Sequence, residues 1–122
     1  MAEELGVFET MHSMRAMRRL KTDPVPTEMI RKILDAGIRA PSGQNLQAWA
    51  FVVLQEVDNK KFFQERYHQA MLARFGEALR PKDDDTSSWA RTIRSALHLA
   101  EHMHEAPVLL LVCGKRDWPF AV

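Results

Sequence analysis

The fold turns on the reading of Ala40-Pro41-Ser42-Gly43-Gln44-Asn45-Leu46-Gln47-Ala48-Trp49. An amphipathic stretch precedes it and an apolar run follows, so it joins a helix to a strand. Pro41 has no N–H to donate and its ring crowds the preceding turn, which stops the helix. Gly43 allows a tight turn and a close approach to a ligand. Ser42, Gln44, Asn45 and Gln47 then supply four neutral hydrogen-bonding side chains within six residues. A polar loop that merely stops a helix accounts for the proline and the glycine, but it needs fewer amides than this.

On the C-terminal side, Trp49 to Leu54 is short, aromatic and β-branched, and reads as a buried strand. On the N-terminal side, Ile30, Ile33, Leu34 and Ile38 form one helical stripe between about Thr27 and Arg39, with Thr27 as the expected N-cap. Asp23-Pro24-Val25-Pro26 is a stiff extended connector into that helix. Before it stands Met14-Arg15-Ala16-Met17-Arg18-Arg19-Leu20, with three arginines in five residues. On a helix Arg15 and Arg18 share a face; in an extended segment both still reach one anion. The cluster is either a solvated basic face or a site for a phosphate, which suits the planar arginine fork. Leu5, Phe8, Met11 and His12 recur at helical spacing, so a first helix is expected over Leu5 to Ser13, packed on the core.

Downstream, Asp58 or Asn59 is the expected cap of a third helix carrying Phe62, Phe63, Tyr67, Met71, Leu72, Phe75 and Leu79, ended by Arg80-Pro81. Lys82 to Ser88 is a loop whose Asp83-Asp84-Asp85 run lacks interleaved ligand spacing and reads as solvated. Ser88 caps a fourth helix through about Glu105, and Ala106-Pro107 breaks it. Val108 to Cys113 is a second apolar strand, of the kind covered on both faces, which makes Cys113 a buried and inert thiol. Trp89 and Trp118 are assigned to core or interface. Gly114 to Val122 adds no further element.

The order α, α, β, α, α, β gives an α+β or α/β arrangement with two strands, too few for a self-sufficient sheet. The expectation is the front part of a longer domain, or a subunit whose sheet a partner completes. The chain has 122 residues, 46% apolar and 27% charged, which places it among globular chains. A net charge of +1 gives no general attraction to nucleic acid or membrane. No run of about eighteen apolar residues occurs. The acidic start, Met1-Ala2-Glu3-Glu4, lacks the order of a secretion signal, and the single cysteine excludes an intrachain disulfide. The expected location is cytoplasmic.

Taken together, Met14 to Pro26, then Ala40 to Trp49 with Phe51-Val52-Val53, then Ala106-Pro-Val-Leu-Leu-Leu-Val112, resemble the start of the FMN-dependent nitroreductase family. The resemblance implies a nitroreductase-like three-layer α-β-α sandwich of class α+β, incomplete in this chain, with residues 1–122 as the N-terminal part of one domain. It implies a homodimer with FMN at the subunit interface. Electrons then pass from NAD(P)H to a nitroaromatic, a quinone or a similar small electron-poor acceptor. Relatives on this fold also carry out reductive dehalogenation and flavin breakdown.

Matched residue by residue, Arg15, Ala16, Met17 and Arg18 fall on FMN-contacting positions. Ser42, Gly43 and Asn45 approach the flavin, often from the other subunit, and Gln47 lies at the polar end of the same loop. Ala16 replaces a common serine, so a contact there comes from backbone. Met14 replaces a common arginine, which leaves more of the phosphate to Arg15 and Arg18. Ala48 stands where proline is usual. Tyr67 and the helix after it match the family's cover over the flavin. The later sheet, the dimer-axis helix and the late flavin contacts of the family have no counterpart in these residues.

Two other readings compete. A non-catalytic flavin-binding or assembly fragment is the first. The second is a zinc protease, from His98-Leu-Ala-Glu101-His102, where two histidines at i and i+4 share a helical face with a glutamate as base.

Overall fold

A computed structural model of the protein describes residues 5–76 and 80–115. Four α-helices and two strands follow in the expected order: α1 (Val7–Ser13), α2 (Thr27–Gly37), β1 (Trp49–Leu54), α3 (Val57–Phe75), α4 (Ser88–His102) and β2 (Leu109–Gly114). Short 3-10 turns over Gly43–Asn45 and Met103–Glu105 precede the strands. The mixed α+β class holds. The acidic start Met1 to Glu4, Leu79 in the third helix, and Trp118 with the tail after Lys115 lie outside the described residues.

β1 and β2 pair antiparallel, from Trp49 opposite Gly114 to Leu54 opposite Leu109. Lys115 N–H donates to the Ala48 carbonyl at 2.9 Å and extends the ladder by one bond. Phe51 lays its ring over the end of α2: a Cβ on Gly37 would meet the Phe51 Cζ at 3.4 Å. The double coverage expected for β2 is not what the described residues show. Val112 is 68% exposed, and Ala50 and Cys113, opposite one another, are exposed too. Cys113 is therefore an open thiol rather than a buried one.

Helix ends depart from the sequence reading by a few residues. Pro26, not Thr27, occupies the N-cap of α2, and its carbonyl accepts from Met29 and Ile30 N–H. At the other end α2 closes at Gly37 instead of Arg39. Ile38, Arg39 and Ala40 form successive turns that prepare the entry to Pro41. Glu56 caps α3 in place of Asp58 or Asn59. Gly76 ends it at φ 68, a left-handed conformation that glycine adopts without a Cβ clash, while its N–H donates to the Leu72 carbonyl at 2.7 Å. Ser87, not Ser88, caps α4: its Oγ accepts from Ala90 N–H at 3.1 Å.

The core lies mainly along α4 and is built from small residues. Ala90 and Ala100 are fully buried, with Leu97, Ala106 and, on α2, Ile30 nearly so. α3 packs on α4 and the turn after it, and two polar side chains pin the contact. Lys60 Nζ donates to the Ala106 carbonyl at 2.7 Å, and Gln64 Nε2 to the Ala100 carbonyl at 2.6 Å. Large apolar residues are mostly half-open. Phe8 is 77% exposed, α1 buries nothing, and Trp89 is exposed, so neither α1 nor Trp89 belongs to the core of this chain.

Candidate functional site

The residues from Met14 to Leu20 form neither helix nor strand, and the chain bends at Arg19. Arg15 and Arg18 therefore do not share a helical face. Arg15, Ala16 and Met17 are exposed, while Arg18 is half-buried. None of Arg15, Arg18 and Arg19 forms an ion pair among the described residues; the ion pairs there are Glu28–Arg31, Asp35–Arg39, Arg80–Glu101 and His102–Glu105. Three guanidinium groups on one short arm thus keep their charge available to an anion.

The Ser42–Gln47 loop is a closed unit. Gln47 N–H donates to Ser42 Oγ at 2.8 Å, and Asn45 N–H to the Ser42 carbonyl at 2.9 Å. Gln47 Nε2 donates to Asn45 Oδ1 at 2.9 Å. The left-handed backbone falls on Gln44, Asn45 and Gln47, at φ 52, 54 and 47, and not on Gly43. Side chains bearing a Cβ enter this region at a cost of about 1–2 kcal/mol each. Their grouping marks the loop as held in shape against local preference.

That shape has a chemical result. The amides of Asn45 and Gln47 engage one donor and one acceptor with each other. The Asn45 Nδ2 and the Gln47 Oε1 remain outside that bond. The Ser42 hydroxyl holds the loop closed.

No hydrogen bond joins the arginine arm to this loop among the described residues. Two larger clefts, both apolar, contain none of the predicted cofactor-binding residues. One of about 440 Å³ lies between Leu20, Val25, α2 and the entry to β2. The other, about 360 Å³, lies between α3 and α4 and includes Tyr67, Arg74 and Phe75. Arg18 instead lines a narrow cleft with His98, His102 and Glu105 of the α4 end.

The His98-Glu101-His102 pattern has its polar atoms engaged elsewhere. Arg19 Nη1 donates to His98 Nδ1 at 3.3 Å, Arg80 Nη2 to Glu101 Oε1 at 3.2 Å, and His102 Nδ1 pairs with Glu105 Oε1 at 2.9 Å. The two imidazoles stack, 4.4 Å between centroids, rather than converging on a point. No group of three or more His, Cys, Asp or Glu side chains among the described residues is placed to hold a metal. Nor is any described helix long and apolar enough to cross a membrane.

Sequence reasoning passed over Lys60, buried to 5% exposure. A lysine on an amphipathic helix carries no mark that its partner is a distant carbonyl. It also left Arg19 and His98 unconnected, since 79 residues separate them.

Comparison with known proteins places these features in a family. The sequence model of the Nitroreductase family matches residues 12–121, which includes both the arm and the loop. An NADH dehydrogenase of Thermus thermophilus is 34% identical over 98 residues, covering 80% of this chain and 33% of that protein. The iodotyrosine deiodinase of Drosophila melanogaster is 28% identical over 109 residues, 87% of this chain and 36% of its own length. The chain thus spans about a third of the curated relatives it matches. Among solved structures, oxidised iodotyrosine deiodinase bound to FMN and 3-iodo-L-tyrosine superposes with a TM-score of 0.69 at 20% identity, over 93% of this chain and 59% of that one. A Bacteroides fragilis nitroreductase with bound FMN gives 0.63 at 24% identity, over 97% and 57%. The shared backbone is the nitroreductase fold.

Proposed function

This chain belongs to the nitroreductase family, and from that premise we propose that it is part of an FMN-dependent oxidoreductase. Electrons pass from NAD(P)H to a nitroaromatic, a quinone or a similar electron-poor small molecule. The observation that carries this reading is the continuous family match over both the unpaired arginine arm and the strained Ser42–Gln47 loop. The relative named as an NADH dehydrogenase supports a nicotinamide donor. The deiodinase relatives keep a halogenated aromatic among the acceptors.

The donor set suits the cofactor. Arg15 and Arg18 bind the phosphate end by charge-assisted hydrogen bonds. Ala16 and Met17 contribute backbone along the ribityl chain, since neither side chain can donate. Asn45 and Gln47 present their remaining donor and acceptor to the pyrimidine edge, held in place by Ser42 and with close approach at Gly43. FMN, when bound, supplies the hydride chemistry; the protein binds it, orients it and sets the polarity around it. A homodimer in which one subunit lends the arm and the other the loop is the proposed assembly. Residues 1–122 are read as the N-terminal part of one such domain, and the proposed setting is cytoplasmic.

The test is flavin absorbance retained after desalting, followed by NAD(P)H oxidation with a nitroaromatic or a quinone. Bound FMN with acceptor-dependent turnover supports the full reading. A second reading, a flavin-binding or assembly piece without turnover, is favoured by one observation: among the described residues no large side chain is fully buried. Bound FMN that NAD(P)H does not reduce selects a flavin-binding piece, and absence of FMN binding overturns both flavin readings and leaves the assembly piece.

A further inference from the structure

Arg19 reaches across the fold from the arm to α4. Its guanidinium carries donors only, so the 3.3 Å contact makes His98 Nδ1 the acceptor and leaves the ring proton on Nε2. An imidazole accepting in this way ties the arginine down without cancelling its charge, as a carboxylate would. His98 is itself fixed, stacked on His102 at 4.4 Å and 25°. The carboxylate lining the cleft, Glu105, is held by His102 Nδ1 at 2.9 Å. Arg18, next in sequence to Arg19 and half-buried, lines the same cleft with His98 and His102. Arg18, along the cleft, and Arg19, on the imidazole, thus both lie at this end of α4, and neither has an acid partner among the described residues.

We propose that His98 is a positioning residue for a phosphate-monoester site. By accepting from Arg19 it pins the arm on α4, and Arg18 and Arg19 turn their remaining donors toward one dianion. The identity of the monoester as the end of FMN rests on the function proposed above; neither Arg19 nor His98 is among the residues matched to the flavin there. Pinning helps because an arginine already held in place loses less side-chain freedom when the ligand arrives. A planar guanidinium so fixed also offers a phosphate two parallel bonds.

The experiment measures binding of FMN, riboflavin and inorganic phosphate to the whole chain and to His98→Leu, His98→Gln and Arg19→Met, with circular dichroism to verify folding. His98→Leu and Arg19→Met are expected to weaken FMN binding by about tenfold and leave riboflavin unchanged. His98→Gln keeps an acceptor oxygen for Arg19 and restores most of the affinity. Unchanged FMN binding in His98→Leu overturns the proposal and leaves the flavin function standing. Equal losses for FMN and riboflavin mark a general structural role and also overturn it. Phosphate bound by the native chain and lost in His98→Leu, without FMN binding, supports the site and overturns the flavin function. A native chain that binds neither overturns both.

Discussion

The ammonium of Lys60, in the first turn of α3, donates to the carbonyl oxygen of Ala106 at 2.7 Å, where the chain leaves α4 for β2. A buried lysine without an acid partner is uncommon, and this one ties together two segments 46 residues apart. Replacing Lys60 by Met keeps the apolar stem and removes the donor, leaving a buried carbonyl without a partner. The variant is expected to lose about 1–3 kcal/mol of stability, read from the midpoint of urea unfolding. A midpoint equal to that of the native chain would show that the bond contributes nothing.

Arg15 is exposed and has no acid partner among the described residues. Arg15→Ala is expected to weaken FMN binding by about tenfold while riboflavin, which lacks the phosphate, binds as before. The salt dependence of FMN binding should also become shallower, since one fewer charge meets the anion. Titrations at two ionic strengths read both effects.

Gln44 sits at φ 52 directly after Gly43. Glycine accepts that conformation without the Cβ clash, so Gln44→Gly is expected to raise stability by about 1 kcal/mol, less what glycine adds to the freedom of the unfolded chain. A loss of stability in thermal unfolding would show that the Gln44 side chain matters more than its backbone strain.

Two carboxyl groups give the acid side of the pH profile a direction. Asp85 accepts from Ser87 N–H at 2.8 Å, and that hydrogen bond holds its carboxyl below the ordinary 3.8. The bond to His102 holds Glu105 below 4.5. Each therefore favours the folded state above its ordinary value, and the contribution fades as pH falls through the lowered one. Carboxyl titration followed by NMR should place both midpoints below those ordinary values. In Asp85→Asn the part of the acid-induced destabilisation that Asp85 supplies should disappear.

Both strands were legible in the sequence because each is a short apolar, β-branched run bounded by breakers. β1 falls on Trp49–Leu54 as expected, and β2 one residue later than Val108–Cys113. Helix interiors were legible from periodicity, but their ends were not. Capping depends on which backbone carbonyl or hydroxyl faces the first free N–H groups, and Ser87 and Ser88 look alike in a string of letters. Exposure of Val112 and Cys113 was hidden for a different reason. A strand's apolarity says what its faces prefer, and says nothing of whether covering layers lie in the same stretch of chain. In the candidate site, the residue types of the arm and loop were legible. The left-handed turns at Asn45 and Gln47, the Ser42 closure and the tie from Arg19 to His98 depend on contacts that local spacing cannot encode.

The first helix has a consequence for ligand energetics. α1 is seven residues long and buries none of them, well under the roughly 12–15 residues at which an isolated helix becomes marginal in water. Its amides should therefore exchange with solvent deuterium far sooner than those of α4, whose core alanines are sealed. The arginine arm hangs directly from this least protected turn. Any ligand that gathers the arm also orders the turn before it, so part of its binding energy goes into local folding. Affinity would then rise with changes that merely stiffen α1, without touching a single ligand contact.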